Sequence, residues 1–216
     1  MKQKEILKKS GIFIVLVLFG FVFSQIMPGN SDIPAVQASS VKKTVKKAKK
    51  AYEKKMESFA TEYDTDGYYR IVDVTGDKVP ELLIDYGVTS RHGALRIYTY
   101  KKGKLKKILD IGNDNLTIYV YRKTKTLLIY DGYHGYNERA YYKYTKGKFR
   151  LKAKKCNNDA AEIQNWYENS SGNNIRKKKF NKIIKPLKKG KKKNLNYYES
   201  WTRFPEDNGD YENDED

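Results

Sequence analysis

The sequence predicts a mainly β protein: two blade-like four-stranded antiparallel units forming a twisted sheet or sandwich, with N- and C-terminal helices packed on it. Three observations predict this. From Tyr69 to Lys155 apolar and polar residues alternate at period two, rich in Tyr, Ile, Val and Leu, as half-buried strands require. The same stretch repeats itself. Leu82-Leu83-Ile84-Asp85-Tyr86-Gly87 matches Leu127-Leu128-Ile129-Tyr130-Asp131-Gly132 at an offset of 45, and Tyr98-Thr99-Tyr100-Lys101-Lys102-Gly103-Lys104-Leu105 matches Tyr142-Lys143-Tyr144-Thr145-Lys146-Gly147-Lys148-Phe149 at an offset of 44. Lastly, apolar residues at three- and four-residue spacing, the mark of helices, flank this stretch on both sides.

Taken in order, residues 1–38 read as a signal peptide. Lys2, Lys4, Lys8 and Lys9 precede an apolar run from Ile12 to Phe23, and Val36 and Ala38 are the small residues before a cut. Cleavage near Ala38 is expected, giving a secreted or cell-surface chain that meets the membrane only during export. An uncleaved anchor is the competing reading, but Ser24 and Gln25 interrupt the run short of the ~20 residues a spanning helix needs. Residues 39–62 form a basic amphipathic helix. Val41, Val45, Ala48, Tyr52 and Met56 make its apolar stripe, and its lysines stay solvated.

Residues 63–155 hold the repeated β domain. Its first unit reads as Tyr69–Asp73, Glu81–Asp85, Ala94–Tyr100 and Lys104–Asp110, and its second as Leu116–Arg122, Thr126–Tyr130, Arg139–Thr145 and Lys148–Lys154. Lys102-Gly103 and Lys146-Gly147 are two-residue hairpin turns, where glycine supplies a positive φ. A four-stranded unit recurring at this interval has the size of a propeller blade, and two such units cannot close a ring. Residues 156–204 read as an α-rich basic extension. Asp159 can cap a helix running through Trp166 and Tyr167, with a strand at Trp166-Tyr167 as the alternative. Phe180, Ile183, Ile184 and Leu187 give a second stripe that Pro186 ends. Residues 205–216 form an acidic tail, expected to be disordered.

Charge is segregated along this plan. The chain carries +18; removing residues 1–38, with four lysines and two acids, leaves +16. The tail holds seven acids and no base, so Ser39–Phe204 carries +23. A body so charged attracts polyanions over roughly 8 Å at physiological salt, and the tail could compete for the same surface. The basic segments lack the interleaved aromatics and glycines of a nucleic-acid platform, and no nucleic acid is expected. One cysteine, Cys156, cannot make an internal disulfide, and with two histidines it cannot make a Cys/His zinc site.

Oxygen ligands are the metal chemistry that composition leaves open. In Asp73-Val74-Thr75-Gly76-Asp77-Lys78-Val79-Pro80-Glu81-Leu82, the side chains of Asp73, Thr75, Asp77 and Glu81 and the Val79 carbonyl stand at positions 1, 3, 5, 9 and 7 of a loop. Hard cations such as calcium collect oxygens at that spacing. The segment resembles the calcium loops of FG-GAP and VCBS repeats, and the D-x-D-G-D-G-x-P-E-L segment of exported proteins of Gram-positive bacteria. The resemblance covers about ten residues and implies a calcium loop between two strands of a blade-like sheet. Two departures weaken it: Thr75 replaces an Asp or Asn, and Lys78 stands where the pattern has glycine. The second unit has Arg122-Lys123-Thr124-Lys125 instead. A self-contained turn, with Asp and Thr side chains bonding backbone amides, is the alternative.

His92 and His134 fall in corresponding loops of the two units, and acid–base chemistry there is the weakest of the functional readings. Of nineteen tyrosines, fourteen lie between Tyr63 and Tyr144, many two apart on one strand face. Such rows fill half-buried faces and also stack on sugars or peptides. Tyr130, Tyr133, His134 and Tyr136 are the candidate ligand-binding residues. The expectation is an exported, non-enzymatic binding module with a degenerate calcium loop and an extracellular ligand. The competing class binds a polyanion such as a cell-wall polymer, anionic lipid or glycosaminoglycan, and a hydrolase is third.

Overall fold

The computed structural model describes residues 35–63, 67–86, 94–112, 116–133, 135–158, 165–195 and 201–203. Most of the export segment, both histidines and the acidic tail lie outside the described residues. Helix α1 spans Ala35–Tyr63, so it begins before the expected boundary at residue 39 and takes in Ala38. The strands that follow are β1 (Gly67–Val72), β2 (Glu81–Tyr86), β3 (Ala94–Lys101) and β4 (Lys104–Gly112). The second unit holds β5 (Leu116–Tyr121), β6 (Thr126–Tyr133), β7 (Tyr136–Thr145) and β8 (Lys148–Asn158). Then come β9 (Asn165–Asn169), α2 (Lys177–Ile184), β10 (Lys192–Asn194) and β11 (Thr202–Arg203).

Among the described residues the protein is mainly β, with two antiparallel sheets and two α-helices. One sheet runs β11-β1-β2-β3-β4 and the other β10-β5-β6-β7-β8-β9. Each is one repeat unit extended by edge strands from the C-terminal part of the chain.

The repeat holds at the level of hydrogen-bond register. Leu82 pairs with Tyr98 as Leu127 pairs with Tyr142. Both final hairpins carry a bulge in one place: pairing steps from Ile97–Leu109 to Tyr98–Lys107, skipping Ile108, and from Tyr141–Ala153 to Tyr142–Leu151, skipping Lys152. The hairpin turns match as well, with φ of 54° and 77° at Lys102-Gly103 and 52° and 80° at Lys146-Gly147. Positive φ at both central residues gives the primed turn that suits the twist of the strands.

Three clusters hold the layers together. Leu83, Leu95, Ile97 and Leu109 of the first sheet share one core with Ile118, Val120, Leu127, Ile129 and Phe149 of the second, an arrangement consistent with a β-sandwich. Ala48, Tyr52, Met56 and Phe59 of α1 pack on Tyr69, Ile71, Leu82 and Ile84 of the first sheet. Phe180 and Ile184 of α2, with Leu187, pack on Tyr121, Leu128, Tyr141 and Ala153 of the second.

The two helices thus pack on different sheets, not on one shared face. Leu82-Leu83-Ile84 and Leu127-Leu128-Ile129 are apolar at consecutive positions, and neighbouring strand residues point to opposite sides. Each sheet therefore needs cover on both faces. The other sheet supplies one cover and a helix supplies the other.

The C-terminal third is also less helical than expected. Trp166-Tyr167 lies in β9, and among the described residues of 156–204 only Lys177–Ile184 is α-helical. Pro186 follows two residues after that helix, within a turn closed by the Leu187 amide on the Ile184 carbonyl at 3.0 Å. No helix among the described residues is long and apolar enough to cross a membrane.

Candidate functional site

The β1–β2 loop brings all five expected calcium ligands onto one turn, but their oxygens are turned to different tasks. Glu81 is fully buried. One of its oxygens accepts the amides of Val74 (2.9 Å) and Thr75 (3.2 Å), and the other the hydroxyls of Thr75 and Thr99, both at 3.0 Å. Asp73 accepts the Gly76 and Lys78 amides at 2.6 and 3.1 Å, and Asp77 accepts the Val79 amide at 3.0 Å. Carboxylates that cap amides in this way stabilise a turn without a cation.

Lys78 sits at φ 70°, the left-handed conformation that glycine adopts at no steric cost. Tyr52 of α1 reaches across to donate its hydroxyl to the Pro80 carbonyl at 2.7 Å. Burial, then the neighbouring charges of Asp77 and Asp73, push the Glu81 carboxyl up to about 8, against the lowering effect of its backbone hydrogen bond from Val74. Among the described residues, no group of three or more His, Cys, Asp or Glu is arranged to hold a metal ion. The arrangement fits a self-capped turn better than an open calcium shell.

The tyrosine-rich site lies on the face of the second sheet that carries α2, where Tyr119 and Tyr130 pack against the α2 cluster. There an open groove of about 430 Å³ is lined by Thr117, Tyr130, Asp131, Gly132, Asn137, Glu138, Arg139, Lys155 and Asn157. Strand register builds it. Thr117 pairs with Tyr130, Tyr130 with Arg139, and Arg139 with Lys155, which sets four side chains in one row across β5 to β8.

Tyr130 forms an aromatic wall held from both sides. Tyr119 meets it edge-on at 5.3 Å, and the Arg139 guanidinium lies 5.0 Å from its ring centre. A Cβ at Gly132 would come within 2.9 Å of the Asn137 Oδ1, so the glycine lets the Asn137 side chain lie close over the strand.

Of the other predicted ligand residues, Tyr133 pairs with Tyr136 at the end of the β6–β7 ladder. Tyr136 turns away from the groove: its hydroxyl bonds Glu138 at 3.2 Å and its ring lies 6.1 Å from that of Trp166. Burial, together with Cys156 and Glu138, raises its pKa. Glu138 also pairs with Lys154 at 2.8 Å, and Lys154 with Glu168 at 3.5 Å, an ion-pair network that pushes Lys154 up to about 12 in spite of its burial. Cys156 is buried in this network, and burial raises its thiol pKa, which leaves it a poor nucleophile.

Thr117, Arg139, Lys155 and Asn157 escaped the sequence reading. They are polar positions on strands, and only the cross-strand register reveals that Thr117, Arg139 and Lys155 share a row with Tyr130 while Asn157 joins the Gly132–Asn137 row beside it. Compared with family models, curated proteins and solved structures, the chain matches none.

Proposed function

We propose that the chain is an exported, non-enzymatic binding module that holds the sugar units of an extracellular ligand in the Tyr130 groove. The observation that carries this is the groove's composition: one braced aromatic face beside two amides, a hydroxyl and two cationic side chains. An aromatic ring stacks on the apolar face of a sugar, while amide and hydroxyl groups read its rim.

Export is supported by the pattern of residues 1–38. Calcium at Asp73, Thr75, Asp77, Val79 and Glu81 belongs to the same proposal as a stabiliser of the β1–β2 loop; thermal unfolding with calcium and with chelator tests it.

The groove itself is tested on immobilised oligosaccharides. Binding of at least one is expected, hardly changed by salt, and Tyr130→Ala should weaken it about tenfold, as the loss of ~1.4 kcal/mol of ring stacking implies. No bound oligosaccharide, or binding indifferent to that substitution, refutes the reading.

A further inference from the structure

At the other end of β5 the surface has the opposite character. The turn Arg122–Thr124 and the segment leading into β10 close a cleft of about 610 Å³ lined by Arg122, Lys123, Lys191, Lys192, Lys193 and Asn194. Five of its six lining residues are cations. None of the five forms an ion pair with a carboxylate among the described residues.

Neutral contacts force these like charges together. Thr124 donates its hydroxyl to the Leu187 carbonyl at 2.6 Å, tying the turn to the chain after α2. Gly190, at φ 97°, passes so close to Lys123 that a Cβ would lie 3.0 Å from the lysine side chain. The buried Leu195 then donates its amide to the Ile118 carbonyl at 2.8 Å, and β10 zips onto β5. Lys192 is drawn over the Tyr119 ring at 4.1 Å, and the Arg122 Nε–H donates to the Asp73 carbonyl at 3.2 Å.

The cations feel one another. Burial lowers the Lys193 pKa, and Arg122 and Arg70 lower it further; Arg70 is lowered by burial and then by Arg122. Lysines on an exposed edge strand can serve only to block pairing with another chain. That role does not explain a guanidinium and ammonium groups from different segments lining one cleft. Assembled like charges cost energy until an anion neutralises them, so such a cleft is poised for one.

We infer that this cleft binds phosphate groups of a linear anionic polymer. The guanidinium grips a tetrahedral oxyanion through paired N–H groups, and the ammonium groups act as point charges around it. Cations gathered from two segments, Arg122 and Lys123 on one and Lys191 and Lys193 on the other, suit a ligand that carries charge at every repeat. The inference uses none of the groove's lining residues, so either can fail alone.

The test is titration of fluorescently labelled inorganic polyphosphate into the full chain at about 50 mM salt and above. Lys123→Gln/Lys191→Gln/Lys193→Gln leaves Arg122 and its hydrogen bond in place. It should weaken binding at least about tenfold and flatten the dependence of log K on log salt by about 2 to 3, one increment for each phosphate no longer neutralised. Lys43→Gln/Lys47→Gln/Lys50→Gln, on exposed α1 positions outside the cleft's lining, removes the same charge and should change affinity less than about twofold.

Equal losses in the two triple variants would show a diffuse field in place of a site. No binding by the unsubstituted chain, tighter binding of polyglutamate than of polyphosphate, or capture by anionic phospholipid vesicles alone would each overturn the assignment.

Discussion

Replacing Glu81 by glutamine separates the charge of that side chain from its shape. The carboxyl group is fully buried, and burial with Asp77 and Asp73 beside it moves its pKa from 4.5 to about 8. An acid whose folded-state value is raised holds its proton better when folded. Its contribution is therefore fully present below pH 4.5 and is lost as pH rises through about 8. At about 1.36 kcal/mol per pH unit, the loss across that window reaches about 5 kcal/mol at most.

Glutamine mimics the protonated acid. Its oxygen can keep the two backbone amides, and its NH₂ can donate to the Thr75 and Thr99 hydroxyls, which rotate to accept. Urea unfolding followed by tryptophan fluorescence, from about pH 5 to pH 9, measures both proteins. The difference between them isolates Glu81, because Asp85, pushed up to about 6 by burial, titrates in the same window with the same sign. Near-equal stability at about pH 5 and an advantage for Glu81→Gln of about 3 kcal/mol or more at about pH 9 are expected. A pH-independent difference, or a variant less stable throughout, would mean that the four donors hold the carboxylate ionised, and the argument fails. Calcium added at high pH provides a second arm: an ion held by ionised Glu81 restores stability to the unsubstituted chain and not to the variant.

Three further substitutions probe the layers. Lys78→Gly relieves the left-handed strain at φ 70° and should stabilise the chain by ~1 kcal/mol in urea unfolding; destabilisation would mean that the lysine side chain supports the loop. Tyr52→Phe leaves the buried Pro80 carbonyl without its 2.7 Å donor and should cost about 1 to 2 kcal/mol, and unchanged stability would refute that hydrogen bond. Ile184→Ala should cost about 2 to 4 kcal/mol if α2 is docked on the second sheet, while a loss under about 1 kcal/mol would argue that the helix is loosely held.

The strands were legible because their signals are local. Period-two alternation marks each strand, Lys-Gly marks each hairpin, and the repeat confirms both, so the eight central strands agree with expectation to within a few residues. The pairing of helices with sheets was not legible, since nothing local says which face a stripe will cover. Lys192–Asn194 and Thr202–Arg203 lack any strand pattern. They become strands because β5 and β1 offer open edges, a condition set by the rest of the fold.

Candidate sites divided the same way. Asp73 to Glu81 stood out as a spacing along the chain, whereas Arg139 and Lys155 reach Tyr130 through register, and Lys191 to Lys193 reach Arg122 through a glycine and a threonine in other segments.

The two repeats share their hairpins and bulges, so their differences point to where function has been added. One such difference lies between the first two strands of each unit: Asp73–Pro80 in one, Arg122–Lys125 in the other. These loops are neighbours in space. The Arg122 side chain donates to the Asp73 carbonyl, and a Cβ at Gly76 would meet the Arg122 carbonyl at 3.4 Å. An acidic turn that satisfies its own carboxylates through backbone amides leaves its carbonyl free to hold the guanidinium without neutralising it. Had Asp73 offered a carboxylate oxygen instead, Arg122 would be half of an ion pair and a weaker anion receptor. The same self-capping that closes the first loop thus keeps the second loop's charge available, and a single divergence between repeats accounts for both.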